Sequence, residues 1–326
     1  MPKGRLFAYI SENAGGPACL KYGVTKHYVI GLEVVLPSGE TIELGRKALY
    51  QRNFPGYDLM HLIISSEGTL GVVTKSELKV VRLPAARNTI VATYDDVAVA
   101  AGAVSRILEN GLIPCKIEYI DDWVINRFED MMQVGLPRDA DAVLLIEVVG
   151  SQEDTRRDTM KIVEITKHYD ARDVRPARDA GEANRFWEAR RAGFTAVYGA
   201  AKTVLAEDVT VPRGKIPDLA NRCKELTKKY AVEIVVLGHA GDGNLHPAIL
   251  TDINDKEHYE RANKALDEIF ATTLELGGVI SGEHGIGLEK AKFFSQTVDP
   301  VAINMMKAVK KLFDPKDIMN PGKIWV

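Results

Sequence analysis

The residues with most chemical potential lie in one short run, His239-Ala240-Gly241-Asp242-Gly243-Asn244-Leu245-His246, which follows an apolar stretch and leaves through Pro247. Asp242-Gly243 is the dipeptide a two-residue type I′ hairpin turn requires. That turn predicts residues 241 and 244, 240 and 245, and 239 and 246 facing each other. His239 and His246 then share a face, with Cβ atoms ~5 Å apart. Two imidazoles so placed suit a divalent metal, needing only a third protein ligand and an open coordination position to form a catalytic site. Two histidines on a surface loop would look the same, and spacing alone leaves both readings open.

A second cluster is Gly277-Gly278-Val279-Ile280-Ser281-Gly282-Glu283-His284-Gly285-Ile286-Gly287, in which five of eleven residues are glycine. Such density implies close backbone approach to something. Glu283 offers a hard carboxylate that could complete a His, His, Glu metal set. His284 points elsewhere, because neighbouring side chains diverge, and is available as a general base. A glycine-rich turn with a solvated Glu-His pair is the plain alternative. Further upstream, Arg190 lies three residues after Trp187 and four before Phe194. At helical spacing these three share a face, so Arg190 either snorkels or pairs with an anion, whereas Arg191, about 100° round the helix, is solvated.

These residues need a scaffold, and the pattern supplies one. Val29–Leu36 and Thr41–Leu44 read as strands joined by the turn 37–40, and Val72–Leu83 alternates as another strand. Around Pro84 the rhythm changes. Strands at Thr89–Tyr94, Lys116–Ile120 and Ala142–Val149 alternate with helices at Val97–Glu109, Trp123–Met132 and Glu153–Tyr169, which predicts a sheet with helices packed on one face. Helices follow at Glu182–Tyr198, Lys215–Tyr230, Lys256–Leu276 and Pro300–Phe313, with a strand at Glu233–Leu237. The expected division is 1–85, 86–285 and 286–326, the last returning to the first domain.

Composition excludes several classes. A net charge of -3 over 326 residues gives no footprint of a nucleic-acid binder. Cys19, Cys115 and Cys223 form no CxxC pair, which argues against a disulfide framework or thiolate zinc site and for a cytoplasmic setting. No apolar run reaches the roughly 18 residues of a membrane span, so any membrane association, at the inner face, is expected to be peripheral. No G-x-G-x-x-G opens a βαβ unit, which argues against NAD.

The two clusters together, HAGDGNLHP at 239–247 and GGVISGEHGIG at 277–287, resemble the paired signatures of the FAD-linked 2-hydroxy-acid oxidases, the family of the glycolate oxidase FAD subunit and the D-lactate dehydrogenases. The resemblance runs from about Asn13 to the C-terminus. It implies an α+β fold: the C-terminal part of a vanillyl-alcohol-oxidase-type FAD-binding domain plus an α+β, ferredoxin-like substrate cap domain. By the same resemblance His239, His246 and Glu283 bind a divalent metal (Zn, Mn or Fe), His284 takes the hydroxyl proton, and Asn244 contacts substrate. Trp187-Glu188-Ala189-Arg190 matches the family's Trp-x-x-Arg, which assigns Arg190 the substrate carboxylate. Two loops resemble those lying along FAD: one contains Asn13, Gly15 and Gly16, the other Glu67, Gly68, Thr69, Gly71 and Val72. Asn320, in Asn320-Pro321-Gly322-Lys323, matches the family's closing motif.

Two departures qualify the resemblance. Ala206 and Glu207 stand where relatives acting on hydroxy-diacids carry a further cation, so a small monocarboxylate, glycolate or D-lactate, is the expected substrate. The family's Gly-rich pyrophosphate loop has no counterpart before Asn13, and 1–7 is too short to supply it. The expectation is therefore a flavin domain truncated at its front, which alone binds FAD weakly or not at all and associates with itself or with a flavin-domain partner, with electrons passing to a non-NAD acceptor: a quinone, a cytochrome or an iron–sulfur partner subunit. A flavin-free, metal-binding assembly subunit and a metal-dependent hydrolase are the competing expectations.

Overall fold

The computed structural model describes residues 3–45 and 56–325. The expected first domain also contains 1–2 and 46–55, which lie outside the described residues. The chain divides into two compact units: 1–16, 23–82 and 280–326 form one, and 17–22 with 83–279 form the other.

In the first unit, strands β1 (Val29–Val35), β2 (Thr41–Gly45) and β3 (Val72–Leu78) form an antiparallel sheet in the order β2-β1-β3. The β1–β2 hairpin closes at the expected turn, where Leu36 N–H donates to Glu40 O at 2.9 Å and Gly39 takes φ 90°. β3 ends five residues earlier than the pattern suggests, at Leu78 rather than Leu83, and Val80 and Leu83 stand 88% and 87% exposed. Alternation there continues without a sheet partner to bury it. Val29, Leu32 and Val34 pack with Ile10 of the helix Lys3–Glu12, with Met60 and Ile63 of the helix Leu59–Ile63, and with Val309 and Phe313 of the helix Pro300–Phe313.

The second unit is built on strands β4 (Ala86–Tyr94), β5 (Lys116–Asp121), β6 (Ala142–Gly150), β7 (Asp173–Pro176), β8 (Thr203–Ala206), β9 (Val209–Thr210), β10 (Glu233–His239) and β11 (Asn244–Thr251). They form one eight-stranded sheet in the order β7-β4-β6-β5-β10-β11-β8, with β9 also pairing β11. The first four strands, with the helices Val97–Glu109 and Gln152–His168, reproduce the split βαβ arrangement of a ferredoxin-like fold. β10 and β11 extend that sheet from the β5 edge.

Helices cover both faces rather than the single face expected. Val143 and Leu145 of β6 pack with Phe128 and Trp187, from the helices Asp122–Met132 and Ala180–Tyr198, while Leu144 and Ile146 on the opposite face are equally buried. A strand apolar on both faces needs cover on both. The helices Val97–Glu109 and Gln152–His168 provide it by packing on β4 and β6.

Candidate metal and substrate site

The second unit brings a row of functional side chains onto one face of neighbouring strands. Glu118 on β5 lies directly opposite His239 on β10, and His239 lies opposite Asn244 on β11. His246, two residues along β11, pairs with Leu237. The expected register of the 239–246 hairpin is therefore corrected by two residues: the loop is the four residues 240–243, not Asp242-Gly243 alone. Tertiary hydrogen bonds select this longer loop, with Gly241 N–H donating to Ile117 O at 3.2 Å and Val211 N–H to Gly243 O at 3.0 Å. Gly243, at φ 84°, has Val211 O only 2.2 Å from where a Cβ would lie.

The shift preserves the shared face, because a two-residue change keeps side-chain parity. The imidazoles meet diagonally, with ring centroids 5.1 Å apart at 83°. Ligand nitrogens of His239 and His246 lie within 4.8 Å of each other, and a carboxylate oxygen of Asp208 lies within the same distance of the His246 nitrogen. Phe194 packs edge-on against His246 at 5.3 Å.

Glu118 is the residue the sequence reading missed. Its side chain is fully buried, with Oε1 2.7 Å from His239 Nδ1 and Oε2 2.6 Å from Arg190 Nη2. Burial pushes its carboxyl pKa upward, but Arg190, then His239 and His246, outweigh burial and hold it below the ordinary carboxylate range. This contact holds the His239 ring in one orientation through Nδ1. The available signal was a charged residue in the apolar run Ile117–Ile120, at a position facing the site. Asp208, wholly buried, also went unassigned to the site.

Arg190 is buried at 5% exposure on the inner face of the helix Ala180–Tyr198, and Arg191 is exposed, as expected. Trp187 from the same helix donates its indole N–H to Thr89 Oγ1 at 2.9 Å. Besides its pairing with Glu118, Arg190 has a buried Nε that makes no hydrogen bond among the described residues; the buried Asn244 Oδ1 likewise has none. Two orphaned polar atoms near paired imidazoles fit a small polar ligand, and two imidazoles with a carboxylate orienting one of them fit a divalent metal.

The first unit holds the remaining predicted residues. Glu283 and His284 lie on a loop after Ile280, with His284 exposed and a Glu283 carboxylate oxygen 3.9 Å from the Cβ position of Gly16. Several expected flavin residues use their side chains inside the unit: Asn13 Oδ1 accepts Lys26 N–H at 2.8 Å, Thr69 Oγ1 donates to Ser66 O at 2.7 Å, and Asn320 Nδ2 donates to Glu67 O at 2.7 Å. A Cβ on Gly71 would lie 2.8 Å from Val34 Cγ1, so that glycine answers to packing. Gly15 and Gly16 sit on the loop after the first helix, Gly16 at φ 127°, and Gly68 takes φ 67° beside Asn320. Val72 is half exposed at the start of β3.

Residues 83–324 match the family described as FAD linked oxidases, C-terminal domain. The chain belongs to that family. Residues 1–45 also match the FAD binding domain family. The glycolate oxidase subunit GlcD of Bacillus subtilis is 44% identical over 316 residues, covering 97% of this chain and 67% of the relative. The D-lactate dehydrogenase of Anaerostipes hadrus is 35% identical over 327 residues, covering 97% and 68%. The chain thus spans about two thirds of the length of these relatives. Among solved structures, p-cresol methylhydroxylase with bound substrate superposes with a TM-score of 0.77 at 17% identity, covering 97% of this chain and 68% of that one. The expected vanillyl-alcohol-oxidase-type fold is the fold found. Among the described residues no helix is long and apolar enough to cross a membrane.

Proposed function

We propose that this protein oxidises a small 2-hydroxy acid, glycolate or D-lactate, to the 2-oxo acid, with electrons leaving to a non-NAD acceptor such as a partner subunit. The observation that carries the reading is the buried Arg190–Glu118–His239 chain beside His246 and Asn244. It joins a carboxylate-binding cation to a metal-binding imidazole through one fixed carboxylate.

In this reading His239 and His246 would hold a divalent metal, whose chemistry would be to lower the alcohol pKa. FAD, when bound, would supply the acceptor for the C2 hydride. Arg190 and Asn244 hold the substrate carboxylate, Arg190 through its bidentate fork, so that the reacting carbon is presented in one orientation. His284 receives the hydroxyl proton. Glu118 keeps the His239 tautomer and the Arg190 guanidinium in place, and Phe194 packs edge-on against His246. Asn13, Gly15, Gly16, Glu67, Gly68, Thr69, Gly71, Val72 and Asn320 lie on segments that would follow the flavin.

The test is anaerobic mixing of the flavin-loaded protein with glycolate or D-lactate. The reading expects the oxidised flavin band to bleach with one of them. A flavin that stays oxidised with both would overturn it.

A further inference from the structure

Glu67 turns every polar group it owns toward the protein. Its N–H donates to Ser11 O at 3.0 Å, and its carbonyl accepts Asn320 Nδ2 at 2.7 Å. Its carboxylate accepts the N–H of Ile286 at 2.7 Å and of Gly287 at 2.8 Å. Three segments remote in sequence therefore meet on one residue, all within the first unit. The backbone of Glu67 sits at φ 52°, where a residue with a Cβ is disfavoured by about 1 kcal/mol or more. Glycine would relieve that strain but has no carboxylate, so the side chain explains the choice of residue.

The loop on the other side of these bonds is the one bearing Glu283 and His284. Gly285 N–H donates to Ser281 Oγ at 2.9 Å, so the consecutive N–H groups of 285, 286 and 287 all have fixed acceptors. Successive N–H groups arranged this way form an anion-binding nest, here filled by a protein carboxylate. A Cβ on Gly285 would lie 2.2 Å from Glu12 Oε2 and 3.0 Å from Glu67 Oε1. Gly285 also takes φ 85°, where a side chain would be strained.

We infer that Glu67 is a positioning residue, fixing the backbone directly after His284 and thereby the placement of that imidazole. The inference rests on the reading of His284 as proton acceptor, so its test has an arm that needs no turnover. Hydrogen exchange on the full chain should find the Ile286 and Gly287 amides protected in the wild type. In Glu67→Ala their exchange should rise at least roughly tenfold while the β1 amides keep their rates, and Glu67→Gln, which retains one acceptor, should fall between. In the kinetic arm kcat should fall roughly 10- to 100-fold, as for a displaced catalytic group. KM should change less than about threefold, because Arg190 and Asn244 belong to the other unit. Unchanged exchange at 286 and 287 in Glu67→Ala, or a loss of protection spread equally through β1, would overturn the inference. Should the wild type oxidise no 2-hydroxy acid, the functional reading fails and the exchange arm alone decides the clamp.

Discussion

Replacing Glu118 by glutamine removes one charge and almost no volume, at the point where two functional groups depend on that charge. Oε2 lies 2.6 Å from Arg190 Nη2 and Oε1 lies 2.7 Å from His239 Nδ1, and Glu118 and Arg190 are 0% and 5% exposed. Removing one member of a buried pair typically destabilises by 3–5 kcal/mol, since the other charge is left desolvated and uncompensated. Glutamine keeps one acceptor oxygen, so the expected loss is at the lower end, about 3 kcal/mol. It is read as the shift in urea midpoint multiplied by an unchanged slope. The metal should suffer separately, because loss of the group that orients a ligating histidine typically lowers affinity 10- to 100-fold. Titrating metal-stripped wild type and Glu118→Gln with Zn²⁺ in a calorimeter measures that ratio. A double-mutant cycle with His239→Ala should give a coupling above about 1 kcal/mol in stability. Equal stability, within about 0.5 kcal/mol, together with equal metal affinity would refute the claim that Glu118 joins the two groups.

Two further outcomes follow from the geometry. Gly238→Ala places a Cβ 2.5 Å from Asn244 O and 2.7 Å from Leu245 Cα, both backbone, so β10 and β11 must part. The variant should lose about 2–3 kcal/mol in urea unfolding and bind metal more weakly through displaced His239. Burial, with the Glu67 charge adding to it, raises the Glu12 carboxyl from 4.5 to about 7, and burial raises Asp121 from 3.8 to about 7 against two backbone N–H donors. The folded state therefore holds protons that the unfolded chain has released, and stability should fall as pH rises from about 3.8, where unfolded Asp121 begins to ionise, to about 7, and level above it. Glu12→Gln should flatten part of that slope, gaining stability relative to wild type at about pH 8 and not at about pH 5.

Much of this architecture is legible in the sequence because local rules and tertiary packing agree there. The β1–β2 hairpin needs only a turn at 37–40 and alternating burial. The helix carrying Arg190 shows its inner face through Trp187 and Phe194. The 239–246 hairpin was legible in kind but not in register: Asp242-Gly243 carries the local signal for a tight turn, while Ile117 O and Val211 N–H, both distant in sequence, choose the wider loop. Glu118 was hidden for a related reason. Its partners are His239 across the strand and Arg190 on a helix, so the charge inside the apolar run Ile117–Ile120 acquires a meaning only once the fold sets those two groups beside it. The carboxylate partners of Glu67 were hidden in the same way, since the N–H groups of Ile286 and Gly287 lie 219 and 220 residues further along the chain.

We propose that His239 and His246 hold a divalent metal on which 2-hydroxy-acid oxidation depends. The direct measurement is metal content and flavin reduction on the same sample, for wild type and His246→Ala, before and after chelation. Close to one divalent ion per chain is expected in the wild type and little in the variant. Substrate-driven flavin reduction should disappear on chelation and return when metal is restored. Reduction that proceeds at the wild-type rate in metal-free protein and in His246→Ala would rule the metal out.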